Sequence, residues 1–476
     1  MTAASEACGS TTDDTFAFEM DSVLEQATET LPGVVVLAKR GDSIYHRACG
    51  LADLDSKRPI DLDMPFRMYS MTKVMTSALA LVLREKYGEP SIEDEVSKYI
   101  PSFDRQWDVV EEADAADESV VVHSLLTGKA DRVAYKRRPA VRPMLVKHLM
   151  SECSGIGYEL FSDQDTVVKG GALATKRGYS IANALRQRVN PTVYTSSCIL
   201  GHDLTAAEFC DVIATAGVLC TDPGVISYGL GATVLGRVLE VVYAKHCSAM
   251  PLREIFQALI FKPLAMNSAC FYDPALAGRL PTLYGLKRQA GDPLVVLAEE
   301  SVPSLRRPYS NQRDHFSGPM KYDSGDTGSV MTVADYGKFL DCLLRRGAGA
   351  DGAQVLPASV VDELLNLRIE GLSFETGVGK LMGFSSDGAV FSTGWVTQKP
   401  GVDSPKQNYW SGYAGTHVRL YADDNSYLIQ GIQCMDHSGT GYVNSILKEP
   451  CLKTFLRHMK THHDTGESSA KRQRVE

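Results

Sequence analysis

The stretch PFRMYSMTKVMTSALALVLREKYG, Pro65 to Gly88, decides how the rest of the chain is read. Its apolar residues recur at helical spacing from Ser70 onward, which predicts one buried helix that opens at Ser70 and stops at Gly88. The first turn holds Ser70-Met71-Thr72-Lys73, and residues three apart on a helix share a face, so the serine hydroxyl and the lysine amine come within reach of each other. A serine hydroxyl is a weak nucleophile at neutral pH and needs a base; a desolvated lysine with a lowered pKa can serve. The helix N-terminus adds backbone N–H groups and a positive dipole end that favour a developing oxyanion. The spacing alone is common. Ser445 to Lys448 and Ser468 to Lys471 repeat it, and a serine at a helix start is often only a cap. What sets Ser70 apart is the β-rich and aromatic segment before it and the apolar helix after it.

Upstream, LPGVVVLAKRGDSIYHRACG (Leu31 to Gly50) gives two β-rich runs around the turn pair Gly41-Asp42, a hairpin, with a helix from Phe16 to Thr30 ahead of it. From about 90 to 320 helical signals such as TAAEFCDVIATAG and GATVLGRVLEVVYAKHC dominate. The last third turns β-rich again in VFSTGWVTQ, YWSGYAGTHVRLYAD and SYLIQGIQCMD, the last two flanking the turn cluster Asp423-Asp424-Asn425, and NSILKEPCLKTFLRHMK closes as a helix. The expected fold class is mixed α/β (α+β): an antiparallel sheet flanked by helices, built from both termini, with an inserted all-helical lobe. The boundaries place the α/β lobe at about 16–75 and 325–460 and the helical lobe at about 76–324, with disordered tails at 1–15 and 461–476.

Composition narrows the function. Apolar residues at 44% and charged residues at 22% exclude a wholly disordered chain, and 49 Lys+Arg against 58 Asp+Glu, a net charge of −9, argue against a general nucleic-acid surface. The 11 cysteines are odd in number and lack CxxC spacing, so they read as reduced, mostly buried thiols. The start has no basic, then apolar, leader and no run is long enough to span a bilayer, so the expectation is a cytoplasmic protein without membrane contact; the KRQR of the tail is a weak nuclear address. Acidic residues cluster at 104–118 and basic ones at 129–147, which reads as a solvated insertion whose halves partly neutralise each other. There is no Gly-Xaa-Ser-Xaa-Gly elbow, P-loop, dinucleotide fingerprint or HExxH. His437, beside Asp436, allows a Ser/His/Asp reading, but a histidine at a strand end is usually structural or on the surface; His458, His462 and His463 have no HExxH or Cys partner, and no cofactor or metal is expected.

Five phrases in order, PFRMYSMTKVMTSALALVL, VKHLMSECSGIGY, ISYGLGATVLGRVLE, IFKPLAMNSACFYDP and SGDTGSVMTVADYGKFL, resemble the serine β-lactamase-like, penicillin-binding-protein-like family, and within it the class C β-lactamase-related esterases and transesterases. The resemblance covers roughly residues 30 to 455 and implies the β-lactamase/transpeptidase-like fold. It carries the family's second motif onto Tyr228-Gly229-Leu230, where the phenol would act as base or relay with its pKa lowered by Lys73, and the third onto Trp410-Ser411-Gly412. The implied catalytic residues are Ser70, Lys73 and Tyr228. The oxyanion hole falls on the N–H groups of Ser70 and Tyr413, and Trp410, Ser411 and Gly412 are the substrate-binding residues, with Gly412 allowing close backbone approach.

Two departures set the substrate class. Leu230 stands where lactamases have an amide-holding Asn, and Trp410 where they have a Lys or His that meets a substrate carboxylate. Both argue for a small-molecule ester or thioester, hydrolysed through a Ser70 acyl-enzyme or passed to an acceptor, with Trp410 as an apolar wall. A catalytically inactive scaffold or binding member of the family is the alternative of another class, and a β-lactamase or D-amino peptidase a narrower one. The natural acyl group and the oligomeric state are not written in the sequence.

Overall fold

Successive residues of an extended strand point to opposite faces, and strand β1 (Val34–Arg40) uses this to serve two cores. Val35 and Leu37 enter the main hydrophobic core, whereas Val34, Val36 and Ala38 enter a second one. In this computed structural model, which describes residues 14–123, 130–158, 178–189, 204–271, 276, 278–287, 295–298, 321–374, 388–401, 405–436 and 443–459, β1 lies inside a seven-stranded antiparallel sheet. It pairs with β2 (Ser43–Cys49) across the Gly41-Asp42 turn, as the hairpin reading requires, and on its other side with a strand from the far end of the chain.

Helix α1 (Asp14–Thr28) and the helical residues 443–459 cover one face of the sheet, burying Phe16, Met20, Leu24, Leu447 and Phe455 between them. The other face packs on α2 (Thr72–Tyr87) and on α5 (Val333–Leu344). Every residue of α2 from Thr72 to Leu83 is buried, so this helix is the axle of the molecule rather than an amphipathic surface element. It ends where the sequence indicates, with Gly88 in the left-handed conformation at φ 78° and its N–H bonded to Arg84 O.

The inserted lobe carries the helices expected of it, among them α3 (Ala206–Ala216) and α4 (Gly231–His246), but it is not all-helical. Strands β3 (Asp108–Glu112), β4 (Glu118–His123), β5 (Ala130–Pro139) and β6 (Val218–Leu219) form a sheet in the order β4-β5-β3-β6. The acidic and basic segments are therefore the two sides of an antiparallel ladder, with Glu111 opposite Lys136 and Glu118 opposite Tyr135. Their charges meet on the surface as Arg138–Glu111 at 3.1 Å and Arg137–Glu118 at 3.3 Å. Val133 and Tyr135, buried between exposed Arg132 and Lys136, supply the period of two that the charges masked.

The C-terminal strands complete the main sheet: β7 (Ala389–Phe391), β8 (Val396–Gln398), β9 (Gln407–Ser411), β10 (His417–Tyr421) and β11 (Ser426–Gly431), each antiparallel to the next. The last of these is the distant partner of β1. Among the described residues, no helix is long and apolar enough to cross a membrane. Of the expected tails, 1–13 and 461–476 lie outside the described residues, while Asp14 and Thr15 belong to α1; most of 158–205, His437, His462 and His463 also lie outside them, whereas His458 is buried and bonds Glu19 Oε2 at 3.2 Å.

Candidate active site

Ser70 does not cap the helix. It sits in a tight turn, Tyr69–Met71, that precedes α2, and its side chain makes no capping bond. Tyr69 holds φ at 48°, a left-handed conformation that costs a non-glycine residue about 1–2 kcal/mol. Bonds from outside impose it: Met68 N–H donates to Ser329 O at 2.9 Å, Thr416 Oγ1 donates to Met68 O at 3.2 Å, and Tyr336 donates its hydroxyl to Met71 O at 3.2 Å. Three separate elements thus fix the pose of the serine.

The Tyr228 hydroxyl donates to Ser70 Oγ at 2.8 Å. Tyr228 is positioned by the segment before α4, where the Tyr158 N–H donates to Tyr228 O at 3.0 Å and Leu230 N–H donates to Ile156 O at 2.8 Å. A Cβ at Gly229 would lie 2.0 Å from Ile156 O, so only glycine lets the two backbones run this close. Lys73 is wholly buried, with Nζ 4.9 Å from the centre of the Tyr228 ring and donating to the Tyr158 hydroxyl at 3.1 Å. The structure thus brings Ser70, Lys73 and Tyr228 together as the sequence reading placed them, and adds Tyr158.

Two carboxyl groups missed in the sequence complete this interior. Asp326 meets Lys73 Nζ at 3.3 Å as an ion pair with neither side chain exposed, and its Oδ2 accepts from Thr233 Oγ1 at 2.6 Å. Glu152, also buried, accepts from Gly229 N–H at 2.6 Å through Oε2, and burial pushes its carboxyl up to about 8, against the pull of Lys73. Both residues stand inside quoted phrases, SGDTGSVMTVADYGKFL and VKHLMSECSGIGY. Their place within these phrases was the available signal. Tyr228 differs from expectation in its titration: burial raises its phenol above the usual range, and the Lys73 ammonium offsets this only in part.

The third motif divides between two faces of β9. Trp410 packs its ring 5.5 Å from Tyr228 and 4.6 Å from Phe391 of β7, which makes an aromatic wall beside the serine. Ser411 alternates to the other face, where its hydroxyl meets His417 Nδ1 at 2.7 Å and accepts from Lys448 Nζ at 3.5 Å. The Ser411 side chain, expected among the substrate-binding residues, thus faces away from Ser70. Gly412 is used differently as well. A Cβ there would lie 2.0 Å from Thr416 Oγ1 and 2.4 Å from Met68 O, so the missing side chain makes room for the protein's own hydroxyl and carbonyl. This contact draws residue 413 to the turn of Ser70, with the half-exposed Tyr413 ring 6.2 Å from Tyr69. Leu230 is buried at the start of α4. Among the described residues, no group of three His, Cys, Asp or Glu side chains is arranged to hold a metal ion.

The family model described as Beta-lactamase matches residues 20–430, which takes in every residue above. The chain belongs to the β-lactamase family. It is 26% identical over 258 residues to Esterase EstB of Burkholderia gladioli, covering 54% of this chain and 51% of the esterase. It is 28% identical over 280 residues to the ML-236A carboxylate methylbutanoyltransferase mlcH of Penicillium citrinum, covering 57% and 53%. The chain thus spans about half the length of these two relatives. A mutant simvastatin synthase of Aspergillus terreus has the same fold, with a TM-score of 0.65 at 18% identity over 95% of this chain and 100% of that one.

Proposed function

We propose that this member of the β-lactamase family is a serine hydrolase of carboxylic esters or thioesters, working through a Ser70 acyl-enzyme that water or an acceptor alcohol or amine resolves. The observation that carries the reading is the Tyr228 hydroxyl at 2.8 Å from Ser70 Oγ beside a fully buried Lys73. That Lys73 is paired with Asp326 favours a charged ammonium that stabilises a neighbouring anion over a neutral amine base. The reactive form is then the Tyr228 phenolate, whose proton has gone to solvent. It takes the Ser70 proton as Oγ attacks the ester carbonyl, and the N–H groups of Ser70 and Tyr413 hold the oxyanion. The phenol next returns that proton to the leaving alkoxide. Water or an acceptor attacks the acyl-enzyme with the roles repeated, which restores the Ser70 hydroxyl.

The aromatic wall of Trp410, Phe391 and Tyr228 supports an apolar acyl or alkoxy group, and with Trp410 in place of a cation nothing on β9 is suited to meet a substrate carboxylate. The names of the esterase and methylbutanoyltransferase relatives agree with this choice of acyl chemistry. Cys49, Cys153, Cys210, Cys247, Cys342 and Cys451 are free thiols, which supports a reducing, cytosolic place of work.

The test is labelling of the purified protein with a fluorophosphonate and mass mapping of the adduct, alongside turnover of p-nitrophenyl esters. An adduct on Ser70 and turnover lost in Ser70→Ala are the expected results. Absence of both would leave the fold as a binding scaffold and overturn the reading.

A further inference from the structure

Glu152 follows a short buried helix, Val146–Met150, with φ at 55°, and only 1% of its surface is exposed. Its main-chain carbonyl accepts from the Ser227 N–H at 2.7 Å, and its Oε2 accepts from the Gly229 N–H at 2.6 Å. One residue therefore grips the chain immediately before and immediately after Tyr228. A clamp of this kind needs only a neutral oxygen, which an amide side chain would provide. A carboxyl buried instead costs several kcal/mol when ionised without full pairing. Here its second oxygen, Oε1, is buried with no hydrogen-bond partner.

The titratable groups acting on Glu152 come from every side of it. Lys73 of α2 favours its ionisation and Asp326 opposes it, Glu152 in turn opposes ionisation of Tyr228, and Cys153, its buried chain neighbour, feels it too. With Lys73 and Asp326 already paired at 3.3 Å, an ionised Glu152 leaves the cluster with one uncompensated negative charge next to the phenol.

We propose that Glu152 is a positioning residue of the acyl-transfer reaction: its Ser227 and Gly229 bonds fix the Tyr228 hydroxyl against Ser70, and its charge sets how readily that hydroxyl gives up a proton. This rests on Tyr228 as the proton carrier of the proposed reaction. Below about pH 7 the protonated Glu152 is electrostatically silent, and above about pH 8 its charge holds back the phenolate.

The experiment compares the full-length wild type with Glu152→Gln, which keeps an acceptor for Gly229 and loses the charge, and Glu152→Asp, which keeps the charge and falls one methylene short. Each is followed by kcat and KM for p-nitrophenyl butyrate across the pH range, by the rate of fluorophosphonate labelling and by thermal melting. The Gln variant is expected to match wild type within about twofold at low pH and to exceed it by about five- to tenfold at high pH, as one unit of phenol pKa is tenfold in phenolate. The Asp variant is expected to lose about tenfold or more in kcat at every pH with KM within about twofold, and to keep the wild-type alkaline lag. A Gln variant whose profile superimposes on wild type, or an Asp variant with wild-type kcat, overturns the proposal; if Gln fails to fold, the Asp result decides alone. Wild-type protein that neither labels at Ser70 nor turns over esters overturns the reading of the site itself, and this inference with it.

Discussion

Lys73 Nζ lies 3.3 Å from Asp326 Oδ1 with both side chains at zero exposure, so the residue three places after Ser70 is one half of a buried ion pair. Removing one partner of such a pair strands the other charge, whereas removing both can be neutral. Asp326→Ala is accordingly expected to lose about 3–5 kcal/mol of stability. The double change Lys73→Met with Asp326→Leu should recover most of that loss in urea unfolding while leaving no ester turnover. A double variant as unstable as the single one would show that the pair is not what holds this interior.

Tyr228→Phe removes the hydroxyl bonded to Ser70 and leaves the ring packed against Trp410 and Phe391. Its kcat is expected to fall by about 10²–10⁴-fold, the usual contribution of a positioned acid–base group, with a melting temperature close to wild type. Tyr158→Phe, which removes a partner of Lys73 rather than of Ser70, should cost less. Steady-state kinetics on the two variants side by side check the order.

Gly412→Ala puts a methyl group where Thr416 Oγ1 and the Met68 carbonyl already stand. The strand end must retreat, and with it the N–H of residue 413. We expect the fluorophosphonate labelling rate of Ser70 to drop by at least about tenfold, an effect of misplacement on the reacting groups. Unchanged labelling in the variant would separate this strand from the chemistry.

On the proposed function, Trp410 stands where a carboxylate-bearing substrate would need a cation. Nitrocefin hydrolysis by the wild type is expected to run at least about 100-fold slower than p-nitrophenyl butyrate hydrolysis, the scale on which a missing charge-assisted bond discriminates. Rates within tenfold of each other would reverse the substrate assignment.

His148 supplies a pH limit on stability. Its Nδ1 accepts from Leu145 N–H at 3.1 Å at the start of the helix that leads to Glu152. Burial, with Lys147 and Arg142 adding to it, lowers its imidazole from 6.5 to about 4. A group depressed on folding stabilises the fold above its unfolded pKa, and that contribution drains away as pH falls from about 6.5 through about 4. Urea unfolding should show this loss in the wild type and a flatter profile in His148→Gln, which keeps an acceptor.

Ser70, Lys73, Tyr228 and Trp410 were legible because their signals are local: a three-residue spacing on an apolar helix, and short phrases in a fixed order. Asp326, Glu152 and Tyr158 were not, since each matters only through what tertiary folding sets beside it. Asp326 is 253 residues from Lys73 in the chain, and no periodicity relates the two. The β3–β6 sheet was hidden for a different reason. Runs such as DVVEE and ADRVAYKRRP carry enough charge to read as solvated loops, yet the alternation of Val133 and Tyr135 with charged neighbours is that of a half-buried strand. Ser411 shows the limit of motif transfer: a residue inside a motif can face away from the site that defines it.

The pairing of β1 between β2 and β11, and the bond from Thr416 to Met68 across 348 residues, also bear on how this protein is made. Contacts of such long sequence separation form late, because the intervening loop must close before they repay its entropy. The turn that carries the nucleophile is held in part by Thr416, which the ribosome adds long after Ser70. A nascent chain therefore carries Ser70 without the scaffold that shapes its surroundings, and arming of the serine waits on synthesis of the segment that holds Thr416.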